Sequence, residues 1–156
     1  VPDPPGRDDT TPWLVLDPGK ATGVVFAHAG ELRADILDKR AVWRALRVFG
    51  RLCRDIGGGV VICERFTITE RTIRAGRDDT ALRLIGCAEW VADQSGCDFL
   101  LQAPNEAKRL VPDWRLTALG LYAPGPADHH RDALRHYVFR RAQERSLTLP
   151  VMEVSP

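Results

Sequence analysis

A chain of 156 residues, 44% hydrophobic and 28% charged, has the material for one ordinary globular domain and too little for a two-domain kinase or a large synthetase. No apolar run approaches the roughly 18 residues of a membrane span. The polar, proline-rich start from Val1 to Pro12 lacks the basic and apolar regions of a signal peptide. The net charge of +1 conceals 19 Arg and 3 Lys against 21 acids. Arginine forks pair well with phosphate, so a nucleic-acid partner stays open beside the plainer reading, a base-composition bias in the coding DNA. Cys53, Cys63, Cys87 and Cys97 show no C-x-x-C spacing and sit in apolar segments. They read as buried reduced thiols of a cytoplasmic protein with no membrane partner.

Residues 1–12 read as a flexible lead, 13–145 as a single domain and 146–156 as a tail. Trp13-Leu14-Val15-Leu16-Asp17 is an apolar run ending in an acid, and Pro18-Gly19 is its turn. Gly23 to His28 reads as a second strand, Ala29-Gly30 as a hairpin turn and Glu31 to Leu37 as a third strand. Over 38–55, Val42, Ala45, Leu46, Phe49, Leu52 and Cys53 keep helical spacing, and the run of glycines at 57–59 stops the helix. Val60-Val61-Ile62-Cys63 is short and wholly apolar, as in a central strand, and ends in Glu64. A basic stretch follows, with Arg65, Arg71, Arg74 and Arg77. A helix over 80–95 is capped by Asp79 or Thr80 and closed by Gly96. Residues 98–102 form another strand, Pro104 opens a short helix to Val111, 114–122 forms a further helical piece, and the last helix runs from about 128 to 145. A three-strand meander followed by alternating helices and strands predicts an α/β protein with a mixed sheet and helices on both faces.

Asp17 and Glu64 each end an apolar strand. If those strands are parallel neighbours, both carboxylates leave the same sheet edge, where open α/β sheets place ligands. Each taken alone reads equally as a turn or helix cap. A carboxylate beside a central strand is costly unless paired or bound to a metal. His129 and Asp132 stand three apart at a helix start and share a face; the alternative is an exposed imidazole and an acid offsetting the helix dipole. Three carboxylates and an imidazole suit two divalent cations about 3.5–4 Å apart, the arrangement for phosphodiester hydrolysis. Oxygen-rich ligands favour Mg²⁺, and the histidine admits Mn²⁺.

Four blocks resemble the RuvC branch of the RNase H-like/retroviral-integrase superfamily, the Holliday-junction resolvases. They are Leu16-Asp17-Pro18-Gly19 with Thr22-Gly23, then Val61-Ile62-Cys63-Glu64, then Ala81-Leu82-Arg83-Leu84 with Ala103-Pro104-Asn105-Glu106-Ala107-Lys108, and last His129-His130-Arg131-Asp132-Ala133-Leu134. The resemblance spans about residues 13–140. It implies an RNase H-like fold with a five-stranded mixed sheet. It also implies an Mg²⁺-dependent nuclease for branched DNA, with four-way junctions as substrate and two metals per site held by Asp17, Glu64, His129 and Asp132. Lys108 matches a basic residue near the scissile phosphate; Phe66 reads either as a core residue or, through the resemblance, as an aromatic that stacks on a junction base. The stretch between Lys108 and His129 is shorter than in bacterial RuvC and lacks a second lysine, a place Arg109 or Arg115 would fill. Arg71, Arg74, Arg77, Lys108 and Arg109 would hold DNA. The implied assembly is a homodimer, supported by surplus apolar residues on the 80–95 helix: Leu82, Leu84, Ile85, Ala88, Trp90 and Val91. The Arg-rich composition suggests a phage or high-GC bacterial source, and host cytoplasm in the phage case.

Three rivals remain. An actin- or sugar-kinase-like ATP-binding fold needs two facing domains, and this length holds one. A non-catalytic nucleic-acid-binding relative would have lost a metal ligand, and none is missing. An RNA nuclease of the rRNA-processing type shares the chemistry at phosphorus.

Overall fold

The computed structural model describes residues 10–19, 21–68, 70, 79–122, 129–144 and 147–150. In chain order these hold β1 (Trp13–Asp17), β2 (Thr22–His28), β3 (Glu31–Leu37), α1 (Lys39–Ile56), β4 (Gly59–Glu64), α2 (Thr80–Gln94), β5 (Cys97–Gln102), α3 (Pro104–Leu110), α4 (Asp113–Ala118) and α5 (His129–Gln143). The five strands form one mixed sheet in the order β3-β2-β1-β4-β5. β1, β2 and β3 form the antiparallel meander, and β4 and β5 add in parallel beside β1.

The hairpin between β2 and β3 turns at Ala29 (φ 49°) and Gly30 (φ 82°). Two successive positive-φ residues give the turn whose twist matches paired strands. Asp38 caps α1 by accepting a hydrogen bond from the Ala41 N–H at 2.8 Å. Gly57 ends α1 in the left-handed region at φ 90°. Asp79 precedes α2 without capping it; its carboxylate pairs instead with Arg83 at 2.7 Å.

Side-chain alternation sorts the core into two layers. Trp13, Val15, Val60 and Ile62 face α3, α4 and α5, where they meet Ala107, Leu116, Leu134 and Val138. Leu147 and Leu149, beyond α5, lie against this layer. Leu14, Leu16, Val61 and Cys63 face α1 and α2, where they meet Leu46, Phe49, Leu84 and Ala88. Cys53 and Cys63 are buried as expected, but Cys87 and Cys97 are only half-buried, and none of the four is disulfide-bonded. No helix among the described residues is long and apolar enough to cross a membrane.

The apolar residues of α2 divide. Leu84 and Ala88 belong to the core, while Leu82 and Trp90 face outward, Trp90 at 63% exposure. The surplus read from the sequence is therefore smaller than the residue count suggests.

Candidate active site at the sheet edge

Parity places the first two carboxylates. Asp17 follows Trp13 and Val15 on the α5 side of β1, and Glu64 follows Val60 and Ile62 on the same side of β4. β1 and β4 are parallel neighbours, Leu16 lying opposite Cys63, so both carboxylates reach the same edge. Gln102 ends β5 there too, opposite Glu64.

α5 supplies the other half. His129, Asp132 and His136 recur at helical spacing, so they lie along one side of α5. The His129 Nδ1–H donates to Asp17 Oδ2 at 2.7 Å, which leaves the lone pair of the neutral ring on Nε2. Nε2 lies beside Gly19 in the turn after β1. The start of α5 sits directly on β2: a Cβ at Gly23 would lie 1.9 Å from the His129 carbonyl oxygen. Only glycine allows this approach. Gly23 is also the residue opposite Asp17, so one small residue sets the distance between the two halves.

His136 was not singled out by the sequence, and the structure makes it part of the site. The ring is 1% exposed. Its Nε2–H donates to Glu64 Oε2 at 2.9 Å, and its Nδ1 meets the Gln102 side-chain amide at 2.8 Å. Arg135 is a second residue missed. It donates to Asp132 and to Asp113 of α4, and its side chain is only 11% exposed. Lys108 of α3 lies 2.9 Å from Asp132. The second cation at the site is thus Arg135 of α5. Arg115 points elsewhere, donating to the Leu110 carbonyl and stacking over Trp114. Arg109 is exposed on the last turn of α3. Phe66 is half-buried just past β4 and belongs to neither core layer. Arg71, Arg74 and Arg77 lie outside the described residues.

Each carboxylate has a nitrogen partner: His129 for Asp17, His136 for Glu64, Lys108 and Arg135 for Asp132. The balance is least complete at Asp17. Burial, then the Glu64 charge, push its carboxyl from 3.8 up to about 6, with Asp132 adding to the rise and His129 opposing it. Among the described residues no three His, Cys, Asp or Glu side chains stand close enough together to grip one ion as they are placed. The donor set is nonetheless hard carboxylate oxygen with one imidazole, which suits Mg²⁺ or Mn²⁺. Burial is the main cause of that rise, and the Glu64 and Asp132 charges that add to it are what a divalent cation offsets. On both grounds the residues fit such an ion.

No protein-family model matches the sequence, and no curated protein matches it. Solved structures do. Thermus thermophilus RuvC in complex with a Holliday junction substrate superposes with a TM-score of 0.60 at 15% identity, over 89% of this chain and 98% of that one. A second Thermus thermophilus RuvC structure gives 0.55 at 16% identity, over 90% and 100%. At these identities the likeness is one of fold, and it places the five-stranded mixed sheet among RuvC-like, RNase H-like architectures.

Proposed function

We propose that this chain is a metal-dependent, structure-selective endonuclease that hydrolyses phosphodiester bonds in branched DNA, with four-way junctions as its substrate. One observation carries the reading: three carboxylates and an imidazole arrive from β1, β4 and α5 at one sheet edge. The fold that holds them is similar to a RuvC bound to a Holliday junction substrate.

Asp17, Glu64, Asp132 and His129 Nε2 would hold two Mg²⁺ ions, with Mn²⁺ able to substitute. When bound, such a pair supplies the charge that stabilises the attacking and leaving oxygens of phosphodiester hydrolysis. The remaining roles belong to the chain. His129 Nδ1–H orients Asp17, and His136 fixes one oxygen of Glu64, leaving the other free. Arg135 fixes Asp132 from behind. Lys108, half-exposed beside Asp132, is placed to exchange its carboxylate for a phosphate oxygen and to stabilise charge developing at the scissile group. Arg109, next to Lys108, and Phe66, two residues after Glu64, would take a backbone phosphate and a base respectively. The protein acts as a homodimer through the outward face of α2, where Leu82 and Trp90 are exposed; a two-fold pair of sites suits paired cuts in a symmetric junction.

The test is incubation with Mg²⁺ and labelled four-way, three-way, flap and duplex DNAs, with the matching RNAs alongside. Branched DNA should be cut, Asp17→Asn and Asp132→Asn should abolish cutting while sparing binding, and Lys108→Ala should lower the cleavage rate more than affinity. Cleavage of RNA alone, or wild-type cutting by either carboxylate variant, would overturn the reading.

A further inference from the structure

α1 has a face that the core does not use. Its buried residues are Val42, Leu46, Phe49, Gly50 and Cys53. Arg40, Arg44, Arg47 and Arg51 are all exposed. Their spacing of four, three and four residues aligns them in one row along the helix. No acid occurs in α1 before Asp55, in its last turn. Among the described residues none of these four arginines enters an ion pair or a side-chain hydrogen bond. The contrast with the other long helices is informative. On α2 Arg83 is matched by Asp79, and on α5 Arg140 is matched by Glu144, each four residues away. A merely solvated face is built in that interleaved way; the α1 row is all of one sign.

The row also has a direction. β3 ends at Leu37 opposite Thr22, and the next residue along β2, Gly23, lies opposite Asp17. α1 therefore starts at the edge that carries the candidate site and runs to the opposite edge, on the sheet face away from α5. From Arg40 to Arg51 the row covers about 16 Å at 1.5 Å per residue. That is a cation about every 5 Å, against a phosphate every 3.4 Å or so along one strand of duplex.

We infer that this arginine row is a second nucleic-acid surface, holding the phosphate backbone of a duplex DNA arm as it leaves the cutting edge. The choice of DNA as occupant rests on the nuclease reading; the polyanionic character of the occupant rests on the row itself. Such contacts add affinity and salt dependence without sequence information.

The experiment is the quadruple variant Arg40→Gln, Arg44→Gln, Arg47→Gln, Arg51→Gln of the full chain, with a melting curve to establish folding. Binding to a fluorescent linear duplex and to a four-way junction is titrated across a salt series in EDTA, so that no cleavage is needed to read the result. Affinity for both DNAs should fall at least tenfold, and the slope of log K against log salt should flatten by about 2 to 4, at roughly 0.9 per lost contact. The junction cleavage rate at saturating DNA, measured separately in Mg²⁺, should stay at the wild-type value. A folded variant with wild-type affinity and salt slope on both DNAs would overturn the inference, as would a wild-type chain that binds neither. If the wild type binds in this salt-dependent way but never cuts, the nuclease reading fails and the surface stands.

Discussion

Asp17→Asn should make the metal-free protein more stable while removing its activity. The side chain is 8% exposed, and burial and the neighbouring Glu64 lift its carboxyl from 3.8 to about 6. At 1.36 kcal/mol per pH unit, that difference is a cost of about 3 kcal/mol carried by the folded state at neutral pH. The sign follows from which state ionises first. Below pH 3.8 both folded and unfolded chains are protonated there and the cost is nil. As pH rises towards 6 the unfolded chain loses its proton first and folded stability declines; above about 6 the full cost stands. Asparagine carries no charge and keeps an oxygen for the His129 N–H. In EDTA at pH 7.5, the variant should melt about 5–10 °C above wild type for a chain of this size. The gain should shrink to nearly nothing at pH 4. Excess Mg²⁺ should close the gap at pH 7.5, since mass action stabilises only the chain that binds the ion. A variant that melts at or below the wild-type temperature in EDTA, or whose gain is the same at both pH values, would refute the account of Asp17 as an under-compensated acid.

Three further outcomes are expected. His136→Leu should weaken Mn²⁺ affinity by about 10–100-fold, as loss of a ligand's hydrogen-bonding partner commonly does, with partial rescue by His136→Gln; calorimetric titration of the folded variant at wild-type affinity would show that the ring only fills space. Gly23→Ala should cost about 1–3 kcal/mol of stability through overpacking and abolish cleavage by displacing the start of α5; an unchanged melt would mean that the helix can shift without penalty. Leu82→Glu with Trp90→Glu should leave the fold intact and convert a dimer to a monomer by light scattering. A wild-type chain that is already monomeric at micromolar concentration, with or without DNA, removes the dimer from the proposal.

The strands were legible because their apolar runs are short, distinct and punctuated by Pro18-Gly19, Ala29-Gly30 and the glycines at 57–59. The meander was legible too, but that β4 lies beside β1 was only a condition of the sequence reading, and it is the structure that supplies it. Asp17 and Glu64 were legible because each ends such a run, and His129 with Asp132 because they open a helix. His136 was not. It lies 72 residues from Glu64 and 34 from Gln102, and nothing local marks a histidine between Arg135 and Tyr137 as a partner for distant polar groups. Its position four residues after Asp132 and seven after His129 was the available signal, since those steps keep it on the same side of the helix. Arg135 was hidden for the opposite reason: in a chain with 19 arginines, one more beside an acid carries no weight until its burial is known. The apolar residues of α2 were readable as a set. Their division between core and surface depends on how the helix is rotated against α1 and the sheet, which composition does not encode.

The partners of the three carboxylates divide into those that can leave and those that cannot, and the division bears on how such a site works. His136 is 1% exposed and Arg135 11%, and each is held by a second group, Gln102 and Asp113 respectively. Removing either from its carboxylate would strand a buried polar or charged group, at a cost of several kcal/mol. Lys108 and His129 are 51% and 46% exposed, so water or a phosphate can replace their contacts at little cost. On the proposed reading, the buried pair keeps Glu64 and Asp132 in place whether or not an ion is bound. Of the exposed pair, Lys108 can turn from Asp132 to substrate when it arrives, and His129 can offer Nε2 to a cation while its Nδ1–H stays on Asp17. Stability of the resting fold and openness of the site then reside in different residues. A substitution at Lys108 should therefore move the cleavage rate with little effect on melting, and one at Arg135 should move both.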